Sequence, residues 1–147
     1  MTTTPLSRST KAPAAGAPVR WSLWIAQGLI AMIYLWAASM KLTKAPTELA
    51  GMIPWAADYS VTFMRAIGLI DLAGGLGILL PALTRIMPRL TVVAAVSIVV
   101  HQLCAVAFHV SRGEFAVLPF NAVLIALSLW VARGRSRKAP ISARSAG

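Results

Sequence analysis

Four apolar runs, each long enough to cross a bilayer, constrain this chain more than anything else in it. They are Trp21 to Met40, Val61 to Leu80, Leu90 to about Val110, and Phe115 to Ala132. A hydrocarbon core about 30 Å thick is crossed by about 20 residues of helix at 1.5 Å each. Inside it every backbone amide must be satisfied within the protein, which leaves helices or closed barrels. Runs of this length joined by short links predict an all-α membrane protein, with four transmembrane helices in an antiparallel bundle. The composition agrees: the chain is 58% hydrophobic and only 12% charged, about half the charge of an average soluble domain.

The first run has a competing reading as a signal peptide, since Arg20 precedes it and Ala37-Ala38-Ser39 resembles a cleavage site. It is longer than a signal core of about 7–15 residues, so a retained span is expected. Pro81 is expected to close the second run. The domain reading is therefore a disordered cytoplasmic tail at 1–20, rich in Thr, Ser, Pro and Ala, a four-helix transmembrane domain at 21–132, and a basic cytoplasmic tail at 133–147. Pro46 with Thr47-Glu48 suggests a short interfacial helix in the longer link.

The net charge of +10 would suit nucleic acid, but its placement argues otherwise. Of the 14 Lys and Arg residues, ten lie in the two terminal segments and the 81–89 link, against three in the 41–60 and 111–114 links. Lys and Arg collect on the cytoplasmic side of short loops, so both termini are expected in the cytoplasm and no nucleic-acid partner is expected. Trp21, Trp24 and Trp130 fall at the inner interface, and Trp36, Trp55 and Tyr59 near the outer one.

Ionisable residues inside the apolar runs are the functional signal. A charge at mid-helix costs at least about 2.5–3.5 kcal/mol on insertion scales, so it must face protein or water. Gln27, Tyr34 and Lys41 are seven apart on the first run, and Asn121 and Ser128 seven apart on the fourth, which places each set on one helix face. Ser97, His101, Ala105 and His109 follow a four-residue spacing on the third. On the second, Gly68, Asp71 and Gly75 share a side, with Arg65 about a third of a turn away. These faces predict a polar pocket opening outward, with an Asp71–His101 pair near its floor and Lys41, Arg65, His109, Glu114 and Asn121 nearer its mouth. The competing reading is snorkelling of Lys41 and Arg65 to the outer headgroups, and a purely structural bond between Asp71 and His101.

Several chemistries are disfavoured. His101 and His109 are eight residues apart, about 12 Å along a helix, too far to share one ion, so no metal site is expected. The single cysteine, Cys104, excludes an intramolecular disulfide relay and reads as a small buried hydrophobe. Gly74-Gly75-Leu76-Gly77 lacks the strand–turn–helix setting of a nucleotide loop and, with Ala73, reads as close helix packing. No catalytic residue is expected.

The run from Arg65 through Ile67-Gly68, Asp71 and Gly74-Gly75 to Leu80-Pro81 resembles the signature of the DoxX-like membrane proteins. His109 with Arg112-Gly113-Glu114, Ser39-Met40-Lys41-Leu42, Asn121 and Arg133 are similar to further elements of that family, over roughly residues 21–135. The sequence departs from the pattern at Asp71, where Glu is more usual, and at Ser39, where Gly is common. The resemblance implies a four-span protein of the inner membrane. It also brings in quinone chemistry, because the family name comes from a subunit of a thiosulfate:quinone oxidoreductase. The expected function is an accessory subunit that binds a small molecule or quinone headgroup, without a cofactor of its own. Its expected partners are the bilayer, a redox enzyme and further copies of itself in a homo-oligomer. The alternatives are a component of a quinone-linked oxidoreductase complex and, more remotely, a small proton-coupled transporter that uses Asp71.

Overall fold

The computed structural model describes residues 16–144. Residues 1–15 of the expected N-terminal tail and 145–147 of the expected C-terminal tail lie outside the described residues. Among those described there is no strand. The elements are α1 (Ala17–Thr43), α2 (Pro46–Leu49), α3 (Val61–Thr84), α4 (Arg89–Ser111) and α5 (Leu118–Arg133), with 3-10 turns at Pro54–Asp58 and Phe115–Val117 and a π turn at Gly134–Lys138. Four helical stretches are long and apolar enough to cross a membrane, the fourth running from Phe115 to Lys138.

Local chemistry sets the boundaries. Pro18 occupies the first turn of α1, where a missing N–H costs nothing. At the other end Lys44 and Ala45 are extended, as the residue before Pro46 must be to avoid the proline ring. The short helix after Pro46 forms as the sequence predicts. Ser60 caps α3 by accepting the Phe63 N–H at 3.2 Å.

Pro81 does not end α3, contrary to expectation. The helix runs on to Thr84 and stops at Arg85, which is left-handed with φ 61°. The missing Pro81 N–H costs the helix the single bond to the Gly77 carbonyl, which the last turn, secured by Thr84 Oγ1 donating to the Leu80 carbonyl at 2.8 Å, survives.

Packing is cyclic: α1 contacts α3 and α5, and α4 contacts the same two helices. The core between them holds Ile30, Ala31, Tyr34, Ile78, Ile98 and Leu124. A smaller cluster of Leu49, Ala56 and Met64 fastens the 44–60 link to α3. Protein covers only 39% of the apolar window of α1 and 22% of that of α4. Leu29, Leu69, Val93, Leu103 and Val123 remain on the outside, an apolar surface suited to a lipid bilayer.

Candidate functional site

A cavity of about 930 Å³ occupies the end of the bundle where α1 and α4 finish and α3 and α5 begin. Its walls are mainly apolar and aromatic, from Ile33, Trp36, Ile67, Phe108, Phe120 and Leu124. The polar groups are few and converge from all four long helices.

Their placement begins with two glycines. Gly68 and Gly75 share the buried face of α3 with Asp71. A Cβ at Gly68 would lie 3.0 Å from Leu42 Cγ, and one at Gly75 would lie 2.9 Å from Leu35 Cγ and 3.3 Å from the Ala31 carbonyl oxygen. Without side chains there, α3 closes on the second half of α1. Lys41 Nζ then donates to Asp71 Oδ2 at 2.6 Å, with the two side chains only 12% and 4% exposed. The other oxygen, Oδ1, lies 3.7 Å from His101 Nδ1, too long for a hydrogen bond. His101 Nδ1 is instead 3.3 Å from the Tyr34 hydroxyl, which accepts from Gln102 Nε2 at 2.8 Å. The Tyr34 hydroxyl links Gln102 to His101 across the cavity floor. The floor thus offers an ammonium, a carboxylate, an imidazole and a phenol side by side.

The mouth is tied by a second network. His109 Nδ1 lies 2.7 Å from Glu114 Oε2, Arg112 Nε donates to Glu114 Oε1 at 2.7 Å, and Arg112 Nη2 donates to Asp58 Oδ2 at 2.8 Å. Gly113, at φ 72°, makes the left-handed turn that brings Glu114 back onto its own helix end. Arg112 also lies over the Phe108 ring, which meets Trp55 edge-on at 5.2 Å. Hydrogen bonds from Arg112 first, and then from His109, hold the Glu114 carboxyl below the usual carboxylate range. The same contact with Glu114, followed by that with Asp58, raises the Arg112 guanidinium further above its ordinary value.

A depressed carboxylate contributes stability above its unfolded pKa, near 4.5, and that contribution is lost as pH falls through the lower folded value. In detergent, Glu114→Gln should therefore lower the melting temperature at pH 7. The gap between the two melting temperatures should begin to narrow as the pH falls through the ordinary glutamate value, near 4.5, and close once wild-type Glu114 is protonated. A gap that stays constant from pH 7 to pH 3.5 would show that the charge of Glu114 contributes nothing.

Six of the seven candidate residues line this cavity: Lys41, Asp71, His101, His109, Glu114 and Asn121. Arg65 does not. It is exposed on α3, one turn inside Val61, and directed away from the cavity. Asp71 meets Lys41 more closely than His101, because a four-carbon stem carries the charge of Lys41 well beyond its backbone position. Ser97 is exposed, although its spacing placed it with His101. Each four-residue step drifts about 40° on a helix of 3.6 residues per turn, so Ser97 and His109 end on different faces. Cys104 is exposed and borders the cavity, instead of being buried as a small hydrophobe.

Gln102 and Arg135 are functional candidates that sequence spacing did not single out. Gln102 had one available signal, a polar neighbour of His101 in an otherwise apolar run. Arg135 is buried against Gln27, at the opposite end of the bundle from the cavity. Among the described residues no group of three His, Cys, Asp or Glu side chains could hold a metal ion.

No curated relative and no solved structure matches the chain. A family model does: that of the DoxX-like family matches residues 25–131, a stretch that contains α3, α4 and α5 to within two residues and every group of the cavity floor. On that match, the four-helix membrane protein described here belongs to the DoxX-like family.

Proposed function

We propose that this chain is an accessory subunit of the inner membrane that receives a small carbonyl-bearing molecule, a quinone headgroup foremost, in an outward-facing polar pocket. Its four spans run antiparallel, with both termini in the cytoplasm. The positive-inside bias supports that orientation, with ten basic residues in the terminal segments and the 81–89 link.

The observation that carries the reading is the cavity itself. Its volume of about 930 Å³ is at the upper end of small-molecule sites, and apolar walls around a few convergent polar groups are their usual form. Trp36, Phe108 and Phe120 in its lining offer aromatic contact to a flat ring, and Lys41 and His101 are able to donate to carbonyl oxygens. Asp71 balances the lysine charge, so an uncharged ligand enters a site that is neutral in sum. A second reading, membership in a quinone-linked oxidoreductase complex, is favoured by His101 and Asp71 lying 3.7 Å apart, where either can take a proton from a quinol. That reading requires a partner carrying a flavin, metal or thiol centre.

Trp36 and Trp55 line the cavity and serve as the probe. A short-chain ubiquinone analogue should quench tryptophan fluorescence saturably in the wild type. In the paired variant Lys41→Met with Asp71→Asn, which removes both charges together, it should bind at least about tenfold more weakly. Equal affinity in the two proteins would remove the ion pair from the binding site and end this reading.

A further inference from the structure

The end of the bundle opposite the cavity holds an unanswered charge. The chain has only four side-chain carboxylates, Glu48, Asp58, Asp71 and Glu114. Three of them lie in or beside the links at the cavity end, and Asp71 is bound to Lys41. The other end carries Arg20, Arg85, Arg89 and five more cations between Arg133 and Arg144, with no carboxylate in any of these segments. A surface excess of this kind is accounted for by topology alone. Arg135 is not, because it is 6% exposed.

Arg135 is held by neutral groups throughout. Its Nε donates to Gln27 Oε1 at 2.7 Å, and Gln27 is fixed in turn by donating from Nε2 to the Ile78 carbonyl at 2.8 Å. The guanidinium carbon lies 4.7 Å from the centre of the Trp24 ring. Nη1 makes a long 3.4 Å bond to the Ala139 carbonyl, and Nη2 is buried with no partner among the described residues. A buried guanidinium without an anion is costly, and an orphaned donor on it adds to the cost.

Beside it is a cavity of about 860 Å³ between the start of α4 and the chain after α5. Arg89, Arg135 and Ser136 line it together with Leu90, Val93 and Ile141. The segment after the π turn closes it by folding back, and Arg144 N–H donates to the Arg85 carbonyl at 3.0 Å. Cationic donors on one side and aliphatic side chains on the other, at the level where a span leaves the hydrocarbon, match a phosphodiester with its acyl chains attached.

We infer that this cleft is a binding site for the phosphate headgroup of an anionic phospholipid. Arg89 and Arg135 hold the phosphate, and the acyl chains lie along Leu90 and Val93. The phosphate oxygen takes over the weak Nη1 contact with Ala139 and satisfies Nη2, so the lipid supplies a counter-ion that no side chain among the described residues provides for Arg135.

Native mass spectrometry of the full chain in mild detergent tests this, with phosphatidylglycerol and phosphatidylcholine of the same acyl composition titrated in turn. Phosphatidylglycerol should bind at least about tenfold tighter than phosphatidylcholine, and Arg89→Gln, an exposed change that spares the core, should remove most of that preference. Arg135→Gln should do the same in molecules that keep the wild-type circular dichroism spectrum. Arg137→Gln, which removes the same charge from an exposed position outside the cleft, should weaken binding no more than about threefold. Equal losses for Arg89→Gln and Arg137→Gln, or no preference between the lipids, would overturn the site in favour of diffuse surface charge. Displacement of the lipid by millimolar inorganic phosphate would reassign the cleft to the free anion and overturn the lipid as its ligand.

Discussion

Asp71→Asn is expected to destabilise the folded protein by about 3–5 kcal/mol, the usual cost of removing one member of a buried ion pair. The loss does not come from Asp71 itself. It comes from Lys41, whose ammonium is left only 12% exposed with no carboxylate opposite. The paired variant Lys41→Met with Asp71→Asn should therefore be more stable than Asp71→Asn alone and recover at least half of the loss, because it leaves no buried charge, whose desolvation costs more than that of an amide. Unfolding by SDS titration, followed by circular dichroism, measures both. If the two changes simply add, Lys41 and Asp71 are not coupled, and the floor of the cavity is not built on their bond.

A second large effect is expected at the helix contact that makes this bond possible. Gly75→Leu should destabilise the protein by about 3 kcal/mol, at the upper end of the range for overpacking. The first added carbon would fall 2.9 Å from Leu35 Cγ and 3.3 Å from the Ala31 carbonyl oxygen, and the latter belongs to backbone that cannot rotate aside. The remaining three carbons can be housed only by separating α1 from α3, which also draws Lys41 away from Asp71. Gly28→Leu makes the same chemical change on α1 at a position with nothing within 4 Å. It should be neutral or slightly stabilising, since glycine is the poorer helix former by about 1 kcal/mol. Similar losses at the two sites in the same titration would show that α1 and α3 have room between them.

The number and position of the long helices were legible because lipid leaves a chain few options, so hydropathy alone locates them. The inward faces were partly legible. Seven-residue spacing follows the helix to within about 20°, and it placed Gln27 and Tyr34 correctly on the buried side of α1. The four-residue spacing on α4 drifted too far, which is why Ser97 misled and Gln102, next to His101, went unremarked.

Partner choice was harder to read. A sequence fixes the depth of a backbone position, and for lysine and arginine the charge sits several carbons away from it. That single property moved Lys41 inward to Asp71 and left Arg65 outside. Arg135 was hidden for a different reason. A run of basic residues after an apolar span reads as solvated tail, but the wider π turn at Gly134–Lys138 changes the side-chain direction and folds one of them under Trp24.

The Lys41–Asp71 bond also has a consequence for how the protein is made. Its two ends are 30 residues apart and belong to different spans. When α3 enters the bilayer by itself, its carboxylate faces lipid at a cost of about 3 kcal/mol on insertion scales. Lys41 is synthesised earlier and stands at the end of a helix already available to meet it. Insertion of the second span is thus completed by the first. The two should leave the translocon as a pair, and α3 expressed without α1 should enter membranes poorly although its hydropathy alone predicts that it inserts.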